Sequence, residues 1–280
     1  HQHMPVESVR IGGTFAVQPP ANAGRYLQVE AAVRDGGAEF SARLLPVGGI
    51  HREQPYRRLL PLEQAAQRWL DEPVGHLEQA IPPEEKLRAA LHGSAVAALF
   101  NQVQLSHTGA DISCTSLGNE PAGLAASVTM RAITAAYLFS NTLVVLEITE
   151  EILRALLERC ASYFTLENGT PRVSDAFLAP KVEHYNYDFF AGISYQFDLR
   201  QPVGRRLTRL SRLDGTPLGP GPLRLCTSNY RATGTGGYDA LRTCPVLWRG
   251  SVEMPELVAE YVRANSPVSL PCNGRMEAIW

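Results

Sequence analysis

The residues best suited to binding chemistry lie in a loop of the C-terminal half of the chain, residues 225–238. An apolar, strand-like run ends there in Asn229-Tyr230-Arg231, and a turn rich in glycine follows, with Gly234 and Gly236 among its residues. Glycine tolerates positive φ and lets the backbone approach a ligand closely. A tyrosine at a strand end beside such a turn can place its ring against a flat ligand. The same residues also suit an ordinary hairpin loop with a half-buried tyrosine.

Two further loops carry residues that could act together with this tyrosine. Phe139 and Asn141 lie in one of them, and Asp111 lies in the other. If the loops of Phe139 and Tyr230 share one side of a sheet, the two rings can clamp a planar ligand such as a purine, at roughly 1–3 kcal/mol per stacked base. Asn141, Asp111 and Asn229 would then supply hydrogen bonds to the base edge or the ribose. A phenylalanine beside a buried strand is also commonly part of the core.

The sequence shows no catalytic nucleophile with its base. It contains no G-x-S-x-G motif, no P-loop and no Rossmann glycine pattern.

The composition, with 19% charged residues and a net charge of −2, argues against broad nonspecific binding to nucleic acid or to membrane surfaces. No apolar run approaches the roughly 18 residues that a membrane span needs. No secretion signal begins the chain, so we expect any export signal to lie upstream of it.

The five cysteines show no C-x-x-C metal pattern, and their number is odd. Cys226 and Cys244 bracket the Asn229 loop, so a disulfide between them would tie that loop down. The alternative is that they are buried free thiols, which behave as small hydrophobic side chains.

Hydrophobic periodicity predicts an α+β fold in three parts. Residues 1–50 indicate two or three edge strands, too few to bury a core of their own. Residues 51–72 contain a linking helix with apolar positions at helical spacing, and residues 73–280 form the main domain. Within that domain the pattern predicts helices beginning at Pro82-Pro83 and over 94–104, 149–163 and 255–264, and strands over 105–113 (interrupted at 108–111), 142–148, 193–199, 205–213 and 223–227.

Several segments, taken together and in order, resemble the C-terminal domain of the 5′-nucleotidase family. Within that family, they are most similar to the 2′,3′-cyclic-nucleotide 2′-phosphodiesterase/3′-nucleotidases. The segments are Phe100-Asn-Gln-Val-Gln, Thr108-Gly-Ala-Asp-Ile-Ser, Phe139-Ser-Asn-Thr-Leu-Val-Val-Leu-Glu-Ile-Thr, His184-Tyr-Asn-Tyr-Asp-Phe-Phe-Ala-Gly-Ile-Ser-Tyr and Asn229-Tyr-Arg-Ala-Thr-Gly-Thr-Gly-Gly-Tyr. They lie within about residues 73–265. The resemblance implies a mixed sheet with flanking helices.

The resemblance also implies where a nucleoside would bind. The family stacks the base between two aromatic rings of this domain, which places them at Phe139 and Tyr230, with a polar contact at Asn141. In the 5′-nucleotidase branch an arginine and an aspartate contact the ribose. Their positions fall here on Ser113 and Gly236, so those contacts do not carry over.

The absence of these ribose contacts is typical of the cyclic-phosphodiesterase branch, where Gly-Ala-Asp-Ile-Ser is usual. It favours Asp111 as a polar contact.

The resemblance further implies that catalysis belongs to an N-terminal metallophosphoesterase domain with two divalent metal ions. That domain ends in a Gly-His-Gln-His type motif, which His1-Gln2-His3 matches, so His1 and His3 would be metal ligands. Short histidine fragments are also left behind by purification tags.

Two histidines cannot hold two metal ions, because such a site needs several Asp, Asn and His ligands. We therefore expect this chain to bind nucleosides or nucleotides, to hold no metal stably and to hydrolyse nothing by itself. Its expected partner is the absent metallophosphoesterase domain, and its expected location is periplasmic, extracellular or in the cell wall. The alternatives are a nucleoside-binding module without catalysis, a 5′-nucleotidase or sugar-nucleotide hydrolase, and an adhesion protein of the cell surface.

Overall fold

The computed structural model describes residues 4–49, 53–270 and 272–280, and the chain divides into two compact units between Glu63 and Gln64. The first unit contains two antiparallel hairpins, in which β1 (Val6–Ile11) pairs with β2 (Thr14–Gln18) and β3 (Arg25–Arg34) pairs with β4 (Gly37–Pro46). None of its described residues is buried. This agrees with the expectation that these strands are too few to form a core.

The predicted linking helix is present as α1 (Glu53–Leu70), an 18-residue helix that contains Pro61. The boundary between the two units falls inside it. Its C-terminal part is bound within the second unit, where Arg131 donates to the carboxylate of Asp71 at 2.7 Å and to the side chain of Gln67 at 2.6 Å.

The second unit has the predicted α+β organisation. Its elements in chain order are β5 (Pro73–His76), α2 (Lys86–His92), α3 (Ala95–Thr108), β6 (Ile112–Ser116), β7 (Ser127–Thr129), α4 (Met130–Ala136), β8 (Thr142–Ile148), α5 (Glu150–Ala161), β9 (Phe164–Glu167), β10 (Thr170–Val173), β11 (Asp188–Ala191), β12 (Ile193–Asp198), β13 (Leu207–Arg212), β14 (Leu223–Ser228), α6 (Asn229–Ala232), β15 (Val246–Glu253), α7 (Met254–Asn265) and β16 (Arg275–Ile279).

A five-stranded mixed sheet in the order β11-β6-β14-β8-β15 forms the centre of this unit. The pair β14 and β6 is parallel, and the other pairs are antiparallel. A smaller sheet in the order β13-β12-β16 and the pairs β5-β7 and β9-β10 complete the unit. The implied mixed sheet with flanking helices is therefore confirmed.

Both faces of the central sheet are covered, because alternate residues of a strand point to opposite sides. On β8, Val144 and Leu146 pack in one buried cluster with residues of α5. Leu143 and Val145 pack in a second cluster, with residues of α3, α4 and α7. The core thus consists of two layers separated by the sheet, and the strand ends are free to carry loops.

Local capping signals fixed several of these elements, and in one case the sequence pattern was misleading. The hydroxyls of Ser94 and Thr149 accept hydrogen bonds from backbone N–H groups in the first turns of α3 and α5. The predicted strand over 105–113 is wrong in its first half, because α3 continues to Thr108. It ends only at Gly109, whose φ of +61° suits a glycine at this position and whose N–H donates to the carbonyl of Leu105.

The helix predicted to begin at Pro82-Pro83 also starts later. Glu85 is the N-cap of α2, and its carboxylate accepts from the backbone N–H groups of Leu87 and Arg88 at 2.9 and 2.7 Å. From this capping position the carboxylate satisfies free N–H groups of the first turn.

All five cysteines are free, so the disulfide between Cys226 and Cys244 is not formed. Cys226 lies in the buried cluster that contains α3, α4 and α7, whereas Cys244 lies in the cluster on the opposite face of the sheet. The two thiols are thus separated by the sheet itself, and the alternative of buried small side chains is the one observed.

Candidate functional site

Four loops meet at one edge of the central sheet. Since β6 and β14 run in one direction and β8 and β11 in the other, the ends of the first two strands lie beside the beginnings of the last two. We call this the site edge. It carries the loops that contain residues 117–119, 229–238, 137–141 and 181–187. This arrangement places side chains from distant parts of the sequence close together.

Four of the five predicted binding residues lie in these loops. Asn229 joins two of the loops, because its side-chain oxygen accepts from the backbone N–H of Thr142 at 3.3 Å and of Tyr230 at 3.0 Å. The backbone carbonyl of Asn141 accepts a hydrogen bond from the N–H of Met254 at 2.9 Å, which joins this loop to the first residue of α7. The two asparagines thus fix the backbone from which the aromatic side chains extend.

The two predicted stacking rings differ in exposure. Tyr230 is 41% exposed. Phe139 is half-buried and contacts Tyr137 and Tyr185 edge-on, with ring centroids 6.4 and 6.3 Å apart. No ring contact joins Phe139 to Tyr230 within the described part of the chain.

The structure does not bring Asp111 to this group. Asp111 precedes β6 and therefore lies at the opposite edge of the sheet, roughly 15 Å away along five strand residues. Its carboxylate accepts from the backbone N–H of Arg224 at 2.8 Å, and its own N–H donates to the carbonyl of Arg224 at 3.0 Å. Its observed role is to join β6 to β14, and we leave it out of the candidate site.

Ser113, which was matched to a ribose-binding position, lies at neither edge. It is buried inside β6, and its hydroxyl lies 2.6 Å from the side-chain oxygen of Asn101 and 2.8 Å from that of Gln104. Ser113 therefore links β6 to α3. Because it is buried within the strand, it cannot contact a ligand at the site edge.

The strongest interaction beneath the site edge was not apparent from the sequence. Arg231 and Asp188 form a two-pronged ion pair with distances of 2.9 and 2.8 Å, and each side chain is only 2% exposed. Arg231 also donates to the carbonyls of Thr235 and Tyr185 at 2.7 and 2.8 Å. The guanidinium lies 4.1 Å from the ring centroid of Tyr238. It thereby holds the Asn229 loop against the segment before β11.

Burial alone would lower the pKa of the Arg231 guanidinium, but the charge of Asp188 and its hydrogen bonds raise it, so the group stays charged. Gly236 lies against this pair with φ of +78°, and a Cβ there would collide with Arg231 and Asn186. The glycine-rich turn is therefore needed for packing over the ion pair as well as for its backbone conformation.

A third aromatic side chain at the site edge, Tyr185, was also missed. Its hydroxyl accepts from the amino group of Lys181 at 3.1 Å and donates to Glu183 at 3.1 Å. The sequence signal was present, since Tyr185 lies in the His184-Tyr-Asn-Tyr-Asp segment. The reason to select it, its contact with Phe139, is visible only in three dimensions.

Lys86 provides a pH-dependent group near the same edge. Its amino group donates to the carbonyl of Gly118. Burial lowers its pKa from the ordinary value of 10.5 to about 8, and the nearby Glu84 opposes part of this change. Because the unfolded chain binds this proton more tightly, we expect the contribution of Lys86 to the free energy of unfolding to rise as the pH increases above about 8, towards the unfolded pKa.

Urea denaturation of the natural chain and of a variant without this amino group, at about pH 7.5, 8.5 and 9.5, would measure this contribution. Lys86→Met is the control, because it removes the titrating group and keeps an unbranched side chain. We expect the difference in stability between the natural chain and the variant to change with pH in this range. A constant difference would show that the pKa of Lys86 is not lowered.

A hollow of about 300 Å³ lies away from the site edge. Its lining includes Asn101, Tyr195, Asn273 and Arg275, and none of the predicted binding residues. The side chain of Asn273 in its wall is engaged in a hydrogen bond of 2.9 Å to the carbonyl of Ala98.

The predicted metal ligands His1 and His3 lie outside the described residues, so their role stays a prediction. Within residues 4–49, 53–270 and 272–280, no three His, Cys, Asp or Glu side chains are grouped so that they could hold a metal ion. No helix in the described part of the chain combines the length and the apolar character that a membrane crossing requires.

The fold and the sequence together define the class of protein. Residues 73–243 match the family model of the 5′-nucleotidase C-terminal domain. Since this match covers more than half of the chain, the chain belongs to the 5′-nucleotidase family through this domain. The resemblance inferred from the sequence segments is confirmed.

Two curated relatives are phosphoesterases. The chain is 23% identical over 258 residues to the 2′,3′-cyclic-nucleotide 2′-phosphodiesterase/3′-nucleotidase of Haemophilus influenzae, a match that covers 79% of this chain and 38% of the relative. It is 27% identical over 139 residues to the trifunctional nucleotide phosphoesterase protein YfkN of Bacillus subtilis, covering 45% of this chain and 9% of the relative. The chain thus spans well under half the length of either relative, and these names support a hydrolase of the nucleotidase and phosphodiesterase class.

Solved structures show the same fold. A candidate 5′-nucleotidase of Staphylococcus aureus, solved with α-ketoglutarate, superposes with a TM-score of 0.85 and 27% identity over 99% of this chain and 55% of that chain. The 5′-nucleotidase precursor of Thermus thermophilus superposes with a TM-score of 0.62 and 18% identity over 98% of this chain and 54% of that chain. The chain corresponds to about half of each of these proteins.

Proposed function

We propose that this domain binds the nucleoside part of a nucleotide at the site edge and positions it for phosphoester hydrolysis by a longer enzyme. One observation supports the proposal: Phe139 and Tyr230 lie on separate loops at the same edge of the sheet, with Tyr230 41% exposed and Phe139 half-buried. Base stacking on such rings supplies affinity with little dependence on the base. Fixing the substrate in this way is a large part of catalysis in phosphoryl transfer.

The reaction we propose for the longer enzyme has two steps. The 2′ bond of a 2′,3′-cyclic nucleotide is cut first, and the resulting 3′-monophosphate is then hydrolysed to nucleoside and phosphate. The activity for which the Haemophilus influenzae relative is named supports this assignment. Such an enzyme would serve nucleotide catabolism and phosphate scavenging, in the periplasm or outside the cell.

The catalytic groups would belong to an N-terminal metallophosphoesterase domain. Two divalent ions bound there would clamp the phosphoryl group and activate a water molecule. The role of the described residues is to hold the nucleoside, through the rings of Phe139 and Tyr230 and the loop backbone that Asn141 and Asn229 fix. In the proposed division of the chain, residues 1–50 are the end of the metallophosphoesterase domain and residues 51–72 link it to residues 73–280.

A 5′-nucleotidase is the second candidate. The observation in its favour is the likeness to the Staphylococcus aureus structure, which extends over 99% of this chain at 27% identity. In both candidates this domain would bind the base. They differ in which phosphate ester the partner domain would cut.

The direct test is calorimetric titration of this chain with adenosine and with 3′-AMP. We expect both to bind, because both carry the base. Ribose and inorganic phosphate are the matched controls, since they contain the remaining parts of the ligand without the base, and we expect neither to bind. If adenosine and 3′-AMP give no heat at millimolar concentration, the proposal that these loops form a nucleoside site is wrong.

A further inference from the structure

We infer that Lys181, held in place by Tyr185, reads the edge of the bound purine and favours a base with a carbonyl oxygen at position 6, such as hypoxanthine or guanine, over adenine. This inference rests on the proposed function, because it concerns the same nucleoside site. It assigns a specificity-determining residue that the sequence analysis did not select.

The first step in the argument is the position of the amino group. The Lys181 Nζ lies 3.1 Å from the Tyr185 hydroxyl and 5.3 Å from the centroid of its ring. That ring contacts Phe139 edge-on at 6.3 Å. Lys181 therefore lies beside Tyr185, the aromatic neighbour of the proposed stacking ring Phe139, and we place the edge of a stacked base on this side. The Tyr230 side chain is also close enough to contribute electrostatically to the raised pKa of Lys181.

The second step is that Tyr185 is fixed. Its hydroxyl donates to one carboxylate oxygen of Glu183 at 3.1 Å, and the other oxygen of Glu183 accepts from Asn186 at 2.9 Å. Its backbone carbonyl accepts from Arg231 at 2.8 Å. Tyr185 is thus linked to the buried ion pair beneath the site edge. Lys181 donates to this fixed side chain, which restricts the position of its amino group.

The third step concerns the free hydrogen-bond donors of Lys181. A lysine ammonium has three N–H donors, and the Tyr185 hydroxyl is the one acceptor that Nζ reaches among the described residues. The hydrogen bond to Tyr185 raises the pKa of Lys181, so the group is charged at neutral pH. Glu183 lies nearby, but its carboxylate oxygens are engaged by Tyr185 and Asn186. Two charged donors remain for a ligand.

The chemistry of the base edge then decides the preference. Guanine and hypoxanthine present two acceptors, O6 and N7, which are the usual partners of lysine. Adenine presents the N6 amino group in place of O6, and this donor would oppose the ammonium. A site built with donors disfavours a ligand that offers another donor, because the polar groups are left unpaired.

The test compares inosine with adenosine, which differ at position 6 of the purine. By calorimetry we expect this chain to bind inosine at least roughly fivefold more tightly than adenosine. Lys181→Met, which keeps the aliphatic stem, should remove this preference by weakening inosine alone. Lys181→Arg should retain it. Equal affinities for the two nucleosides in the natural chain, or an unchanged ratio in Lys181→Met, would overturn the inference.

The failure of this inference can be told apart from failure of the proposed function. If Tyr230→Ala weakens binding of both nucleosides while Lys181→Met leaves their ratio unchanged, the stacking site stands and the role of Lys181 is wrong. If the natural chain binds neither nucleoside, or if Tyr230→Ala binds both as well as the natural chain does, the nucleoside site itself is wrong, and the role of Lys181 is overturned with it.

Discussion

Replacement of Asp188 by asparagine is expected to lower the free energy of unfolding by about 3–5 kcal/mol, the largest effect we foresee for a single substitution. The size of the side chain is kept, but the Arg231 guanidinium, 2% exposed, loses the charge that balances it. An arginine cannot escape this cost by losing its proton. Urea denaturation followed by circular dichroism would measure the change.

Asp239→Asn is the matched control. Asp239 also pairs with an arginine, Arg242 at 3.3 Å, but both side chains are more than 60% exposed. Exposed ion pairs contribute little, so this variant should keep nearly the stability of the natural chain. If the two variants lose similar amounts, the buried pair does not hold the Asn229 loop in the way that its geometry indicates.

Tyr230→Ala is expected to weaken nucleoside binding by roughly 5- to 150-fold, which corresponds to about 1–3 kcal/mol for one stacked base. Because the Tyr230 side chain is 41% exposed, its loss should scarcely change the stability of the fold. Phe139→Ala should weaken binding to a similar extent. Calorimetric titration with 3′-AMP would measure both effects, with urea denaturation as the check on folding.

The comparison for these variants is Tyr26→Ala. Tyr26 is a tyrosine of similar exposure, 48%, on β3 of the first unit. We expect it to bind 3′-AMP like the natural chain. Unchanged binding in Tyr230→Ala, with the fold intact, would show that the ring does not stack on the base.

Much of the fold could be predicted because its signals are local. The strand β8 is a continuous apolar run, and Thr149 with two glutamates directly after it marks the start of α5. Ser94 marks the start of α3 in the same way. The end of α3 was predicted wrongly, since the alternation of apolar Val103 and Leu105 with polar residues is typical of a strand.

The binding site was predictable only in part, for a different reason. Loop composition selected Phe139 and Tyr230, and the structure places them at one edge. Asp111 has the same kind of local sequence, but it precedes its strand, and the direction of β6 relative to its neighbours cannot be read from one segment. The Arg231–Asp188 pair joins positions 43 apart, and no periodicity of a single chain segment reports such a contact.

The parallel pairing of β6 with β14 has a consequence for how the protein is made. These neighbours in the middle of the sheet are joined at their start by Asp111 and Arg224, which are 113 positions apart. Contacts at such separation form slowly, because a long loop must close before they contribute. During synthesis, β6 and β8 leave the ribosome long before β14 can fill the gap between them. Their apolar side chains stay uncovered in that interval, so the emerging chain passes through a stage at which chaperone binding would prevent aggregation.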